Sequence, residues 1–311
     1  MLAIVFPGQG SQTLGMACDF AAQFPESRAV LEEADEAFGG PLREWIEHGP
    51  EERLRRTEVT QPAILAASIA VYRAIAPRLE VPAAFLAGHS LGEYTAQVAG
   101  GGLELAEAVR LVRRRGALMQ EAVPEGEGAM AAVLGLSADD VDGICAATEG
   151  VVAPANLNAP AQTVIAGARA AVEAAASALR EAGAKRVVPL DVSAPFHCEL
   201  MASAQEKLTP ELAAAGFRDL AVPVLSNVTA EPYRTAAEAR ELLRRQVCAP
   251  VRWVACVERL VREGVRVQLE LGPGKVLTGL ASRIDRGLAC ARVSTVAEAD
   301  AALRRVEEAL A

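Results

Sequence analysis

Gly88-His89-Ser90-Leu91-Gly92 places a serine with a glycine two positions away on each side. A serine hydroxyl becomes a useful nucleophile when a sharp strand-to-helix turn thrusts it into a cleft beside a base. In such a turn a β-carbon at either glycine position would collide with neighbouring backbone. The same turn sets the amide of Leu91 at the start of the following helix, where it can donate to a developing oxyanion. The chemistry this arrangement serves is acyl transfer through a covalent serine ester.

A serine nucleophile needs a proton acceptor, and the chain has three histidines. His48 precedes Gly49-Pro50 at a helix end, where the helix dipole accounts for it. His89 adjoins Ser90 in the turn, so its side chain is expected to point away from the nucleophile. Elimination leaves His197, in Ser193-Ala194-Pro195-Phe196-His197, with a helix-cap or packing histidine as the ordinary alternative.

A cation is also out of place. The segment from Glu104 to Ala122 has helical periodicity, and stepping about 100° per residue puts Arg110, Arg113 and Arg114 on the outer or flanking surface. Arg115 falls between Ala108, Leu111, Val112 and Met119, in the middle of an apolar stripe. An unpaired guanidinium is costly to bury, so an anion should meet it. Both a protein carboxylate and a substrate carboxylate fit its two-pronged donor geometry.

These residues are scattered, and an α/β framework is the expected means of assembling them. Leu2 to Phe6 reads as a buried strand ended by Pro7-Gly8. Gln61 to Ile75 reads as a helix with Pro62 in its first turn. Ala83 to Ala87 is a second apolar strand leading into the serine turn. From 128 to 190 the rhythm changes: strand 129–134, helix 137–147, strand 151–156, strand 162–166, helix 168–182, strand 185–190. That βαββαβ order predicts a ferredoxin-like subdomain at 126–192, inserted into a catalytic domain formed by 1–125 and 193–311. Strands at 222–226 and 265–271 return the chain to the larger core.

Composition narrows the partners. Aromatic residues are only 4% of the chain against 51% hydrophobic, so Ala, Val, Leu and Ile must build the core. A formal charge of -9 argues against a general polyanion binder such as a nucleic-acid protein. No uninterrupted apolar span of about 20 residues suggests a membrane helix, and the first residues lack the pattern of a secretory signal. The six cysteines, at 18, 145, 198, 248, 256 and 290, form no CxxC pair. They read as reduced thiols, which points to the cytoplasm.

Taken together, Pro7-Gly8-Gln9-Gly10-Ser11-Gln12, Gly88 to Glu93, Arg115-Gly116, Asn156-Leu157-Asn158, Pro195-Phe196-His197, Gln246 and Gly272-Pro273-Gly274 resemble the malonyl-CoA:acyl-carrier-protein transacylase family. The resemblance covers nearly the whole chain, in the family's order and spacing. It implies an α/β-hydrolase-like core with a parallel sheet and the ferredoxin-like insert. It implies Ser90 as nucleophile, His197 as base and then acid, and Arg115 as the clamp on the malonyl carboxylate. The amides of Gln9 and Leu91 would form the oxyanion hole, and the main-chain carbonyl of Gln246 would orient His197, so no aspartate is required. Asn156, Asn158 and Phe196 would line the substrate side. In related polyketide acyltransferase domains a Phe before the base accompanies malonyl preference, and one methyl group decides only about 1 to 3 kcal/mol. The implied partners are malonyl-CoA and acyl carrier protein, with a monomeric enzyme and no cofactor or metal. Carrier proteins are acidic, so docking should need a local basic rim, for which Lys185, Arg186, Lys275 and Arg283 flank the relevant segments. The elbow and base would serve a serine esterase or thioesterase equally well, and Arg115 is the feature that sets those readings apart.

Overall fold

The computed structural model describes residues 1–311 and contains ten strands. They are β1 (Leu2–Phe6), β2 (Ala83–Gly88), β3 (Gly128–Leu134), β4 (Val152–Ala159), β5 (Gln162–Ala168), β6 (Arg186–Pro189), β7 (Val224–Leu225), β8 (Pro232–Tyr233), β9 (Val267–Leu271) and β10 (Ala289–Val293). Six make a sheet in the order β10-β9-β1-β2-β7-β8, parallel except for the β7–β8 pair. β1 lies at the centre and is buried along its whole length. Leu2, Ile4 and Phe6 face one apolar cluster while Ala3 and Val5 face another, so a continuous apolar run is what both covered faces require.

The other four strands form the antiparallel sheet β4-β5-β3-β6. With the helices Ala138–Ala147 and Arg169–Glu181 packed on it, this is the βαββαβ unit expected from the sequence, around its own apolar cluster. Ser137 caps the first of these helices by accepting from the amide of Asp140 at 3.1 Å. β4 is tied to the larger domain by a short bridge to the segment before the helix Trp253–Arg262: the Leu157 amide donates to the Val251 carbonyl and the Val251 amide to the Ala155 carbonyl, each at 2.9 Å.

One sequence expectation needs correction. The helix beginning near Gln61 starts at Thr57 and runs to Ile75, so Pro62 sits inside it rather than in its first turn. A proline there leaves the Glu58 carbonyl without its helical donor. That same helix is long and apolar enough, with its extension to Arg78, to pass as a membrane span, yet 83% of the relevant window is buried inside the protein. It is the central core helix, and Ser27 Oγ donates to its Ala70 carbonyl at 2.7 Å. β8 and β10 had no strand signal of their own: β8 has two residues, and β10 interleaves Cys290 and Arg292 with alanine and valine.

Candidate active site

The exits of β1 and β2 meet at their carboxyl ends, the usual binding edge of such sheets. β2 ends at Gly88 and the next helix, Leu91–Ala99, begins two residues after His89, leaving Ser90 at φ 51°, ψ -104°. This backbone is rarely tolerated outside glycine, and it is held by close packing. A β-carbon on Gly88 would lie 1.9 Å from the Gly92 carbonyl carbon, and one on Gly92 would lie 2.1 Å from the Phe6 carbonyl oxygen. The Ser90 amide donates to Asn227 Oδ1 at 2.7 Å, and Asn227 Nδ2 donates to the Gly88 carbonyl at 2.8 Å. Asn227 therefore staples both sides of the turn.

His197 is also at positive φ, 61°, and only 4% exposed. Its Nε2 lies 2.7 Å from Ser90 Oγ, and its Nδ1 lies 2.9 Å from the main-chain carbonyl of Gln246. A carbonyl only accepts, so Nδ1 carries the proton and Nε2 presents its lone pair to the serine hydroxyl. Burial, and then the charge of Arg115, push the imidazole down to about 3. His197 thus waits as a neutral base throughout the physiological range.

Arg115 emerges from the helix Leu105–Glu121 on its buried face, while Arg110, Arg113 and Arg114 are exposed. Arg115 is 1% exposed, and its hydrogen bonds go to no carboxylate. One terminal nitrogen donates to Gln61 Oε1 at 2.9 Å; the other donates to Gln246 Oε1 at 2.9 Å and to Ser90 Oγ at 3.2 Å. Nε has no partner at all. The Tyr94 ring lies beneath, 5.3 Å from the guanidinium carbon. Neutral oxygens hold the cation in place without neutralising it.

Gln9, Leu91, Asn156, Phe196, Met119, Met130, Leu190 and Val192 line the same cavity as Ser90, His197 and Arg115. Leu91 is the first residue of its helix, so its amide has no intrahelical acceptor. The side chain of Gln9 is tethered by donating to Thr57 Oγ1 at 3.2 Å, which sets the loop against the helix Thr57–Ile75. Asn158 is placed differently from the expectation for it: it does not line the cavity, and its Oδ1 meets His89 Nε2 at 2.8 Å. Regular alternation would put Asn156 and Asn158 on one face, but a register irregularity between Leu157 and Ala159 in β4 breaks it. His89 in turn packs on Trp253, at 5.7 Å between ring centroids, and takes no part in the contact with Ser90 Oγ.

Gln61, Glu93 and Asn227 belong to the site but had no role assigned from the sequence, where Glu93 appears only as the end of the Gly88 to Glu93 string. Gln61 is a polar residue in a largely apolar helix, which was a usable signal; the motif string gave Glu93 no role, and Asn227 gave no signal. Glu93 is wholly buried and accepts from the Tyr233 hydroxyl at 3.0 Å, the Asn227 amide at 3.0 Å and Gln246 Nε2 at 2.7 Å. Burial raises this carboxyl to about 7.

A hydroxyl aligned with a neutral imidazole, at the carboxyl edge of a sheet of this order, is the apparatus of acyl transfer. The chain belongs to the acyl transferase domain family, whose model matches residues 3–298. It is 49% identical over 284 residues to the malonyl CoA-acyl carrier protein transacylase of Escherichia coli (strain K12), covering 91% of this chain and 92% of that protein. An acyl carrier protein S-malonyltransferase from Vibrio cholerae superposes with a TM-score of 0.93 at 47% identity, over 96% of this chain and 99% of the other. A malonyl-transacylase solved in complex with its type II polyketide acyl-carrier protein superposes at 0.94 and 45% identity, over 97% and 99%. The motif resemblance and the expected fold class are both borne out.

Proposed function

We propose that the chain transfers malonyl from malonyl-CoA to the phosphopantetheine thiol of an acyl carrier protein through an ester on Ser90. The observation that carries this reading is the 3.2 Å separation of Arg115 and Ser90 Oγ. In malonyl-CoA the free carboxylate and the thioester carbon are two bonds apart, so a carboxylate held on Arg115 brings the carbonyl to the nucleophile. Ser90 attacks while His197 Nε2 takes its proton, and the amides of Gln9 and Leu91 receive the oxyanion. The intermediate collapses, His197 returns the proton to the leaving thiolate, and CoA departs. The carrier thiol then attacks the ester by the same steps in reverse, giving ping-pong kinetics. Gln246 keeps the imidazole in its working tautomer and, through its side chain, keeps Arg115 beside the serine. Phe196 and Leu91 crowd the α-carbon and favour malonyl over methylmalonyl by about 1 to 3 kcal/mol. Asn156 contacts the acyl group from β4; Asn158 acts one step back, by positioning His89. We place the enzyme in the cytoplasm as a monomer.

The test is incubation with malonyl-CoA, methylmalonyl-CoA and acetyl-CoA, followed by peptide mapping. A malonyl ester confined to Ser90, formed faster than either alternative adduct, is expected. Steady release of free malonate as the main product in the presence of carrier protein would instead make the chain a thioesterase.

For docking, Lys185 and Arg186 are exposed at the start of β6, and Lys275 is exposed beside Val276, which lines a wide mouth next to the nucleophile cavity. Arg283, in the helix Val276–Ile284, reaches the antiparallel sheet by donating to Gln162 Oε1 of β5 at 2.6 Å. In the mouth itself Arg55 and Arg169 are balanced by Glu125 and Asp191, so the basic rim rests on the four residues outside it. Reversing charge at Lys185, Arg186, Lys275 and Arg283 together should raise the carrier-protein KM about tenfold or more at low salt, with malonyl-enzyme formation intact. An unchanged KM removes these four residues from the docking surface.

A further inference from the structure

Arg115 and Glu93 are buried opposite charges that do not touch. Between them stands the Gln246 side chain, whose Oε1 accepts from Arg115 at 2.9 Å and whose Nε2 donates to Glu93 at 2.7 Å and to the Ser90 carbonyl at 3.1 Å. The other groups around Glu93 are the Asn227 amide and the Tyr233 hydroxyl, with Tyr94 and Cys256 close by. Burial holds Tyr94, Tyr233 and Cys256 in their protonated, neutral forms. His197 is neutral for the reasons given above. The empty site therefore contains one cation and one anion, joined through an amide.

A malonyl carboxylate arriving on Arg115 changes this count. Two buried carboxylates would then share a single guanidinium, and like charges in a dry site cannot both remain ionised at neutral pH. The substrate's carboxylate gains the direct contact with Arg115, so Glu93 is the one displaced. We propose that Glu93 is the counter-charge of Arg115 in the empty enzyme and takes up one proton from solvent when a malonyl group occupies the site. Glu93 never touches the reacting atoms; it is a positioning residue that fixes the polarity of the Gln246 amide, and it makes recognition of a carboxylate-bearing donor dependent on a proton. This inference rests on the transacylase reading. Its sign agrees with a carboxyl already raised to about 7 by burial, which an adjacent second anion raises further.

The experiment mixes the full chain with malonyl-CoA alone in weakly buffered indicator solution, and counts protons against Ser90 adduct measured by intact mass. Any proton lost by the departing CoA thiol is common to wild type and Glu93→Gln, so the difference between them counts Glu93. At pH 7.5 wild type should exceed the variant by about three quarters of a proton per adduct, falling to about a tenth at pH 6, where Glu93 is already protonated. Equal uptake by the two proteins at pH 7.5 overturns the inference while leaving the transacylase reading intact. Failure of wild type to form any adduct overturns that reading and the inference with it. A second measurement needs no variant. The malonyl-CoA concentration for half-maximal adduct in wild type should rise about eightfold from pH 7.5 to 8.5, and a flat dependence overturns the proposal.

Discussion

Ser90→Ala forms no malonyl-enzyme, and transfer to the carrier thiol drops by about 10⁴-fold or more. The size follows from how much converges on one oxygen: the imidazole at 2.7 Å, the guanidinium at 3.2 Å, and the covalent bond itself. The variant should still fold. Its glycine neighbours, the Asn227 staple and the Phe6 contact all involve backbone atoms, and Arg115 retains Gln61 and Gln246. Melting within a few degrees of wild type would therefore accompany the lost adduct, which intact-protein mass spectrometry detects directly. A full malonyl adduct on the variant would move the nucleophile elsewhere.

Arg115→Ala should separate two donors. With malonyl-CoA, kcat/KM should fall by about thirtyfold to a few thousandfold, since truncating one partner of a buried charge pair costs about 2 to 5 kcal/mol. With acetyl-CoA, activity should hold or rise, because the acetyl group brings no anion and the wild-type cation has no use there. Truncation also lifts the charge that helps depress His197, so the variant's imidazole should titrate closer to its ordinary range. Equal loss with both donors would show that Arg115 merely supports the fold.

Most of the reacting centre was legible, for identifiable reasons. Ser90 was legible because a strained turn needs glycine at fixed offsets, and the collisions at Gly88 and Gly92 show how little else fits. Arg115 stood out because helix periodicity assigns faces, and a charge on the apolar face is an exception that pattern alone can reveal. His197 came from scarcity, with three histidines to choose among. Gln246 was different: its main-chain carbonyl works regardless of side chain, so only resemblance pointed to it. Glu93 and Asn227 escaped because a buried polar residue inside or just beyond an element announces itself only when its partners are known, and theirs lie on distant strands and helices. Asn158 lies against His89 and not in the cavity wall for a related reason: two residues apart on a regular strand means one face, but the irregularity in β4 breaks that rule.

The contact of Gly92 with the Phe6 carbonyl has a partner in Gly8, where a β-carbon would come within 2.4 Å of the His89 carbonyl oxygen. The two loops are thus mated face to face, and the His89 amide donates to the Phe6 carbonyl at 3.1 Å across the seam. For protein engineers they form one transplantable cassette. Grafting the serine loop alone onto another sheet would deliver the strained turn without the loop it is packed against, and libraries that vary either loop should vary its mate in the same clone.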